Sequence, residues 1–289
     1  MSLAEDLALA HELADAADAL TLGRFRALDL RVQAKPDLTP VSDADTAVEQ
    51  LVRDRLARER PNDAVLGEEY GDTGDSPRRW VVDPVDGTKN FVRGVPVWAT
   101  LIALQEPEGD QGSRRTTVGV VSAPALGRRW WAARGLGAHA GPCAAQGLPI
   151  AVSAVEQLSD AHLSYSSLTG WQQQGRLPGL LALSGRCWRT RAFGDFWSHV
   201  LVAEGAVDAS FEPEVSLWDL AALQVIVEEA GGRFTDLSGA ATAGGGSVVC
   251  SNGLLHDEVL SALLPDDLLP RRPGDLVTRC LVCGESVAR

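Results

Sequence analysis

The chain has 289 residues, 45% of them hydrophobic, and a net charge of −13. That is enough to bury a substantial core, as one large domain or two halves, and describes an ordinary globular protein. The acidity disfavours nucleic acid and anionic membrane as partners, and no apolar run approaches the roughly 20 residues that span a bilayer. Met1 to Asp6 lack a basic n-region, so the protein reads as cytoplasmic. Leu3, Leu7, Ala10, Ala14, Ala17 and Leu20 recur at helical spacing and predict a first amphipathic helix ending near Gly23. A second helix follows Asp43-Ala44-Asp45-Thr46, with Ala47, Val48, Leu51, Val52 and Leu56 as its apolar stripe and Asp45 placed to cap its start.

The short apolar pair Val65-Leu66 leads into Gly67-Glu68-Glu69. Trp80 to Val82 then reads as the end of a buried strand, with Pro84 stopping the ladder and Gly87 letting the backbone turn. Asp83 and Asp86 therefore sit three residues apart at a strand's end, and the Gly87 and Thr88 amides can open a helix whose start suits a phosphate. Taken alone, Asp83-Pro84-Val85-Asp86-Gly87 is a good tight turn. With Glu68 before it and Trp218-Asp219 after it, the pattern points to hard cations beside an anion, that is, metal-assisted phosphate chemistry.

Further strands are predicted at Val97–Leu104, Val118–Ala123 and Arg129–Ala133, with Glu106–Thr116 as a polar loop and Ala140–Pro149 as the domain boundary. In the second half, Phe196–Glu204 and Ser216–Ala230 read as helices, the latter stopped by Gly231, with a closing helix at His256–Leu264. Val207–Phe211, Gly232–Thr235 and Ser247–Cys250 read as strands. The absence of a Gly-x-Gly-x-x-Gly fingerprint disfavours a dinucleotide fold. None of the five histidines falls in a motif, so zinc is unsupported and each, His199 included, reads as structural. Cys143, Cys187 and Cys250 suit reduced thiols, Cys280 and Cys283 form half a zinc knuckle without its other half, and residues 265–289 read as a mobile extension.

Gly67-Glu68-Glu69, Asp83-Pro84-Val85-Asp86-Gly87-Thr88 and Trp218-Asp219 with Ala230-Gly231-Gly232 resemble the signatures of the inositol monophosphatase superfamily, from about Leu3 to about Leu264. The blocks Lys35–Asp45 and Gly87–Trp98 resemble its histidinol-phosphatase branch. The resemblance implies a mixed α/β (α+β) fold, a layered α-β-α-β-α sandwich. Residues 1–143 would be an N-terminal half with the metal motifs, 144–264 a C-terminal half completing the site, and 265–289 a flexible tail.

It further implies a homodimer acting on a small phosphate ester with two or three magnesium ions. Glu68, Asp83 and the Val85 carbonyl would hold the first ion, and Asp83, Asp86 and Asp219 the second. Asp45 would pair with Thr88 to orient the attacking water, and the Gly87 and Thr88 amides would hold phosphate oxygens. Glu69 matches an acid behind the ligands or a solvated surface charge. Glu212 and Asp195 match substrate contacts, with surface and helix-cap roles as their plain alternatives, and Arg191 is placed to pair with Asp195 or substrate. Two acids opposite the metals suit a cationic alcohol, hence L-histidinol phosphate. Inositol-1-phosphate or a broad range of sugar phosphates are the alternative substrates, and a metal-sensitive scaffold without catalysis is the alternative class.

Overall fold

The computed structural model describes residues 2–36, 38–109 and 113–263. Helix α1 (Leu3–Arg24) leads to a two-stranded hairpin, β1 (Val32–Ala34) and β2 (Pro40–Ser42), and then to α2 (Asp43–Glu59). There follow β3 (Ala64–Gly67), β4 (Gly71–Thr73), β5 (Arg79–Asp86), the short α3 (Thr88–Arg93), β6 (Ala99–Glu108), β7 (Ser113–Ala123), β8 (Arg128–Ala133), β9 (Ala138–Gly141) and β10 (Leu148–Pro149). After them come β11 (His162–Tyr165), α4 (Leu168–Gln173), α5 (Leu177–Ser184), β12 (Arg189–Arg191), α6 (Asp195–Ala203), β13 (Ala209–Glu212), α7 (Leu217–Glu229), β14 (Arg233–Thr235), β15 (Val248–Ser251) and α8 (His256–Ala262). Among the described residues no helix is long and apolar enough to cross a membrane.

Eight strands form one sheet in the order β10-β9-β8-β7-β6-β5-β3-β4, and five form another in the order β12-β11-β13-β15-β14. Strand alternation assigns each face of the larger sheet its own core. On β6, Ile102 and Leu104 pack with α1 and α2, while Ala99, Leu101 and Ala103 pack with α6 and α7. Phe234, Val248 and Cys250 of the smaller sheet join that second core, and the smaller sheet's other face meets α4, α5 and α8. The layers are therefore α-β-α-β-α, as expected. Gly119 lets α7 lie against β7, since a Cβ there would stand 2.5 Å from the Ala222 carbonyl oxygen.

Four local expectations are corrected. The ladder does not stop at Pro84 but runs on to Asp86 through an irregularity in its pairing with β6, a place where a proline's missing N–H is tolerated. Glu106–Thr116 is not a loop throughout: Gln105–Glu108 pair with Ser113–Thr116, extending the β6–β7 hairpin. The residue capping α2 is Ser42, with Asp45 closing a capping box from the third helical position. The Ala140–Pro149 stretch contains β10, which pairs with β9, so the first sheet reaches Pro149. The Cys280/Cys283 tail lies outside the described residues.

Candidate active site

The pairing irregularity in β5 explains how two aspartates three apart share one face. Asp83 stands opposite Leu101 and Asp86 opposite Ala99, so three steps on β5 span two on β6. The extra residue is a bulge, and it turns what would be opposite faces into the same one. Both partners, Leu101 and Ala99, face the layer of α6 and α7. There the first turn of α7 brings in Asp219, and one carboxylate oxygen from each of Asp83, Asp86 and Asp219 lies within 4.8 Å of the others. Each carboxylate is also held by a backbone N–H: Val85 donates to Asp83 (3.0 Å), Phe196 at the start of α6 to Asp86 (2.7 Å), and Ser216 to Asp219 (2.7 Å).

Glu68 reaches the same cavity of about 440 Å³, which Lys35, Val85, Gly87, Thr88 and Lys89 also line. Its position follows from Glu49, a fully buried residue of α2 that sequence reasoning missed. The Glu49 carboxylate accepts the amides of Glu69 (2.6 Å) and Tyr70 (3.1 Å) and pairs with Arg53 (2.8 Å). Gly67 is what admits it, because a Cβ at 67 would lie 2.1 Å from Glu49 Oε1. Gly67→Ala is accordingly expected to destabilise the fold by about 1–3 kcal/mol, as overpacking does, and to misplace Glu68. A thermal melt checks the first effect and the metal dependence of activity the second.

Lys35, just after β1, bonds both Glu68 and Glu69 at 2.7 Å. Burial opposes its charge, but the two glutamates outweigh that and raise its pKa. Glu69 is therefore a half-buried, paired acid and not a solvated surface charge; burial raises its pKa as well.

Thr88, the first residue of α3, places its hydroxyl 3.0 Å from Asp45 Oδ1 and 2.9 Å from the Val85 carbonyl. Asp45 is fixed from its other oxygen by the Ser42 amide (2.8 Å) and hydroxyl (2.5 Å). Gly87 takes the left-handed conformation, φ 81°, that turns the chain out of β5 and starts α3.

Burial raises the carboxyl of Asp83 well above the usual range, with Glu68, Asp86 and Asp219 adding repulsion. Asp86 is raised likewise by burial, Asp195 and Asp219, and Asp219 to about 7 by burial, Glu68 and Glu212. Buried like charges of this kind await a cation, and a set made only of carboxylate and carbonyl oxygens suits a hard divalent ion. The residues present fit magnesium.

An adjoining cavity of about 310 Å³ is shared by Asp86, Lys89, Asp195, His199, Glu212 and Glu214. Asp195 has φ 48° and sits in the first helical position after Gly194. Its side chain does not cap the helix but accepts from Asn90 Nδ2 at 3.1 Å, and burial with Glu212 lifts its pKa to about 6. His199, read from sequence as structural, lies in this wall: Nδ1 is 2.8 Å from the Ser210 hydroxyl and Nε2 is 3.4 Å from Glu212 Oε1. Nothing in the sequence around His199 marks this, since the contact depends on β13 lying beside α6. Arg191 is exposed, bonds the Thr190 carbonyl and lines neither cavity.

The model described as "Inositol monophosphatase family" matches residues 2–266. The chain is 59% identical to a histidinol-phosphatase of Streptomyces coelicolor over 259 residues, covering 90% of this chain and 97% of that one. It is also 59% identical to a histidinol-phosphatase of Mycobacterium tuberculosis over 260 residues, covering 90% and 98%. Among solved structures, a Thermotoga maritima IMPase aligns with a TM-score of 0.78 at 29% identity, covering 90% of this chain and 96% of that one. A family match reaching from the first turn of α1 to the end of the described residues establishes that this chain belongs to the inositol monophosphatase family.

Proposed function

We propose that this phosphoric monoester hydrolase acts on L-histidinol phosphate, releasing L-histidinol and phosphate, with magnesium held by Glu68, Asp83, Asp86, Asp219 and the Val85 carbonyl. The observation that carries the substrate is the second cavity, where Asp195, Glu212 and Glu214 gather beside the metal-ligand cluster. An acidic wall suits the ammonium and imidazole of histidinol, and a neutral polyol would gain little from it. The name shared by the two 59% identical relatives supports the same reading.

When bound, magnesium supplies Lewis-acid neutralisation of the phosphoryl oxygens and of the attacking water's developing charge. The chain's own residues orient that attack. A hydroxyl carries one proton and two lone pairs, so Thr88, whose proton has Asp45 Oδ1 and the Val85 carbonyl as its acceptors, keeps an oxygen lone pair to accept from a water. Asp45, whose pKa burial raises, is the nearest proton acceptor along that path. The amides at Gly87 and Thr88, where α3 opens, would hold phosphate oxygens, and no covalent intermediate is required.

Glu212→Gln and Asp195→Asn test the substrate. Each removes a charge-assisted hydrogen bond to the ammonium, worth roughly 1.5–3 kcal/mol, or about 10- to 100-fold in kcat/KM on histidinol phosphate. On inositol phosphate the loss is expected to be much smaller. Equal losses on both esters would refute the histidinol assignment and leave the phosphatase standing.

A further inference from the structure

A third cavity has a different character from the two acidic ones. It encloses about 200 Å³, and its wall brings together Arg79 at the start of β5, Arg114 and Arg115 of β7, and Thr242, with Glu108 the one carboxylate among its described lining residues. Leu217 also lines it, between Ser216 and Trp218, which line the metal-ligand cavity. In a chain of net charge −13, this concentration of guanidinium groups in a concavity stands apart.

The three arginines are poorly neutralised. Arg114 donates to the carbonyls of Pro77 (3.3 Å) and Ser76 (3.1 Å), which leave its charge intact. Arg115 lies 4.0 Å from Glu108 with both side chains about half exposed. Arg79 bonds the Gln105 side-chain oxygen at 2.9 Å and the exposed Asp72 at 3.4 Å, but its Nε is buried without a partner. Burial and then the neighbouring Arg114 depress the Arg79 pKa, the response to uncancelled positive potential.

We propose that this cavity binds a small phosphate dianion, held by Arg79, Arg114 and Arg115. Guanidinium forks match phosphate oxygens bidentately, and a phosphate offsets the excess of cations that remains once Glu108 and Asp72 are set against the three arginines. The phosphate comes either as the free ion or as the head of a small ester. The cavity is separate from the site that performs hydrolysis, and the proposal does not depend on the substrate assigned there.

The test is isothermal titration at low ionic strength of the chelator-treated protein, in which the carboxylates of the metal site repel anions. Inorganic phosphate and glycerol 3-phosphate are titrated separately, and the tighter binder identifies the source. Wild type is expected to bind at least one of them. Arg114→Gln and Arg115→Gln, both at exposed positions, should each weaken that binding about ten-fold or more. Glu108→Gln, which removes the opposing carboxylate, should tighten it. Unchanged melting temperatures confirm that the variants are folded. Absence of binding by wild type to either anion would overturn the proposal, as would affinities that none of the three substitutions alters.

Discussion

Asp83→Asn is expected to abolish phosphate release while leaving the protein folded and, without metal, more resistant to heat. Asp83 is 1% exposed, and the Val85 amide donates to it. It stands among Glu68, Asp86 and Asp219, each of which adds repulsion to the cost of burial. An asparagine keeps the shape and the Val85 bond but removes the charge. The loss of activity should exceed the roughly 10- to 100-fold that removal of an outer partner of a metal ligand costs, because the proposed ligand itself would be lost.

The stability gain has a defined pH dependence. A carboxyl whose folded pKa is raised binds more protons in the native state, so the stability it contributes is complete below its unfolded value and is lost as pH rises through its folded value. For Asp219 that window runs from the ordinary 3.8 to about 7, and Asp83 is shifted in the same direction. The metal-free wild type should therefore melt progressively lower as pH rises across this range, and Asp83→Asn should flatten the slope. Unfolding of the variant, seen by circular dichroism, would instead make Asp83 a structural residue.

Thr88→Ala is expected to lower kcat by roughly 10²–10⁴-fold, the range for an orienting or acid-base group, with KM nearly unchanged. The hydroxyl joins Asp45 to the end of β5, and its removal leaves Asp45 Oδ1 without that donor. A drop in stability of about 1–3 kcal/mol accompanies the loss of a buried partner. Thr88→Ser, which restores the hydroxyl, should recover most of the rate. A Thr88→Ala enzyme with unaltered kcat and a raised KM would confine Thr88 to phosphate docking.

The parts of the site that obey local chemistry were readable from sequence. Carboxylates at 68, 83 and 86 announce themselves by residue type and by the Gly or Pro beside them, Asp219 by its place after Trp218 near the start of a helix, and α1 and α7 follow from apolar spacing and a stop such as Gly231. The features that could not be read depend on partners distant in the chain. The bulge that aligns Asp83 with Asp86 exists only in the pairing with β6. Glu49 lies among the polar residues of an amphipathic helix, and its burial arises where Gly67 makes room for it. Ser113–Thr116 has the polarity of a loop and becomes strand because Gln105–Glu108 lies opposite. Arg191 shows the converse, since nearness in sequence to Asp195 does not bring it to the cavity.

The most direct measurement of the central claim is the initial rate of phosphate release from L-histidinol phosphate, inositol 1-phosphate and a sugar phosphate, each with magnesium and with EDTA. The expected result is turnover that requires magnesium and favours histidinol phosphate, because on the proposed reading Asp195 and Glu212 would reward a cationic alcohol beside a carboxylate cluster suited to hard cations. Full activity in EDTA would contradict the metal-assisted mechanism, and a preference for inositol 1-phosphate would contradict the substrate.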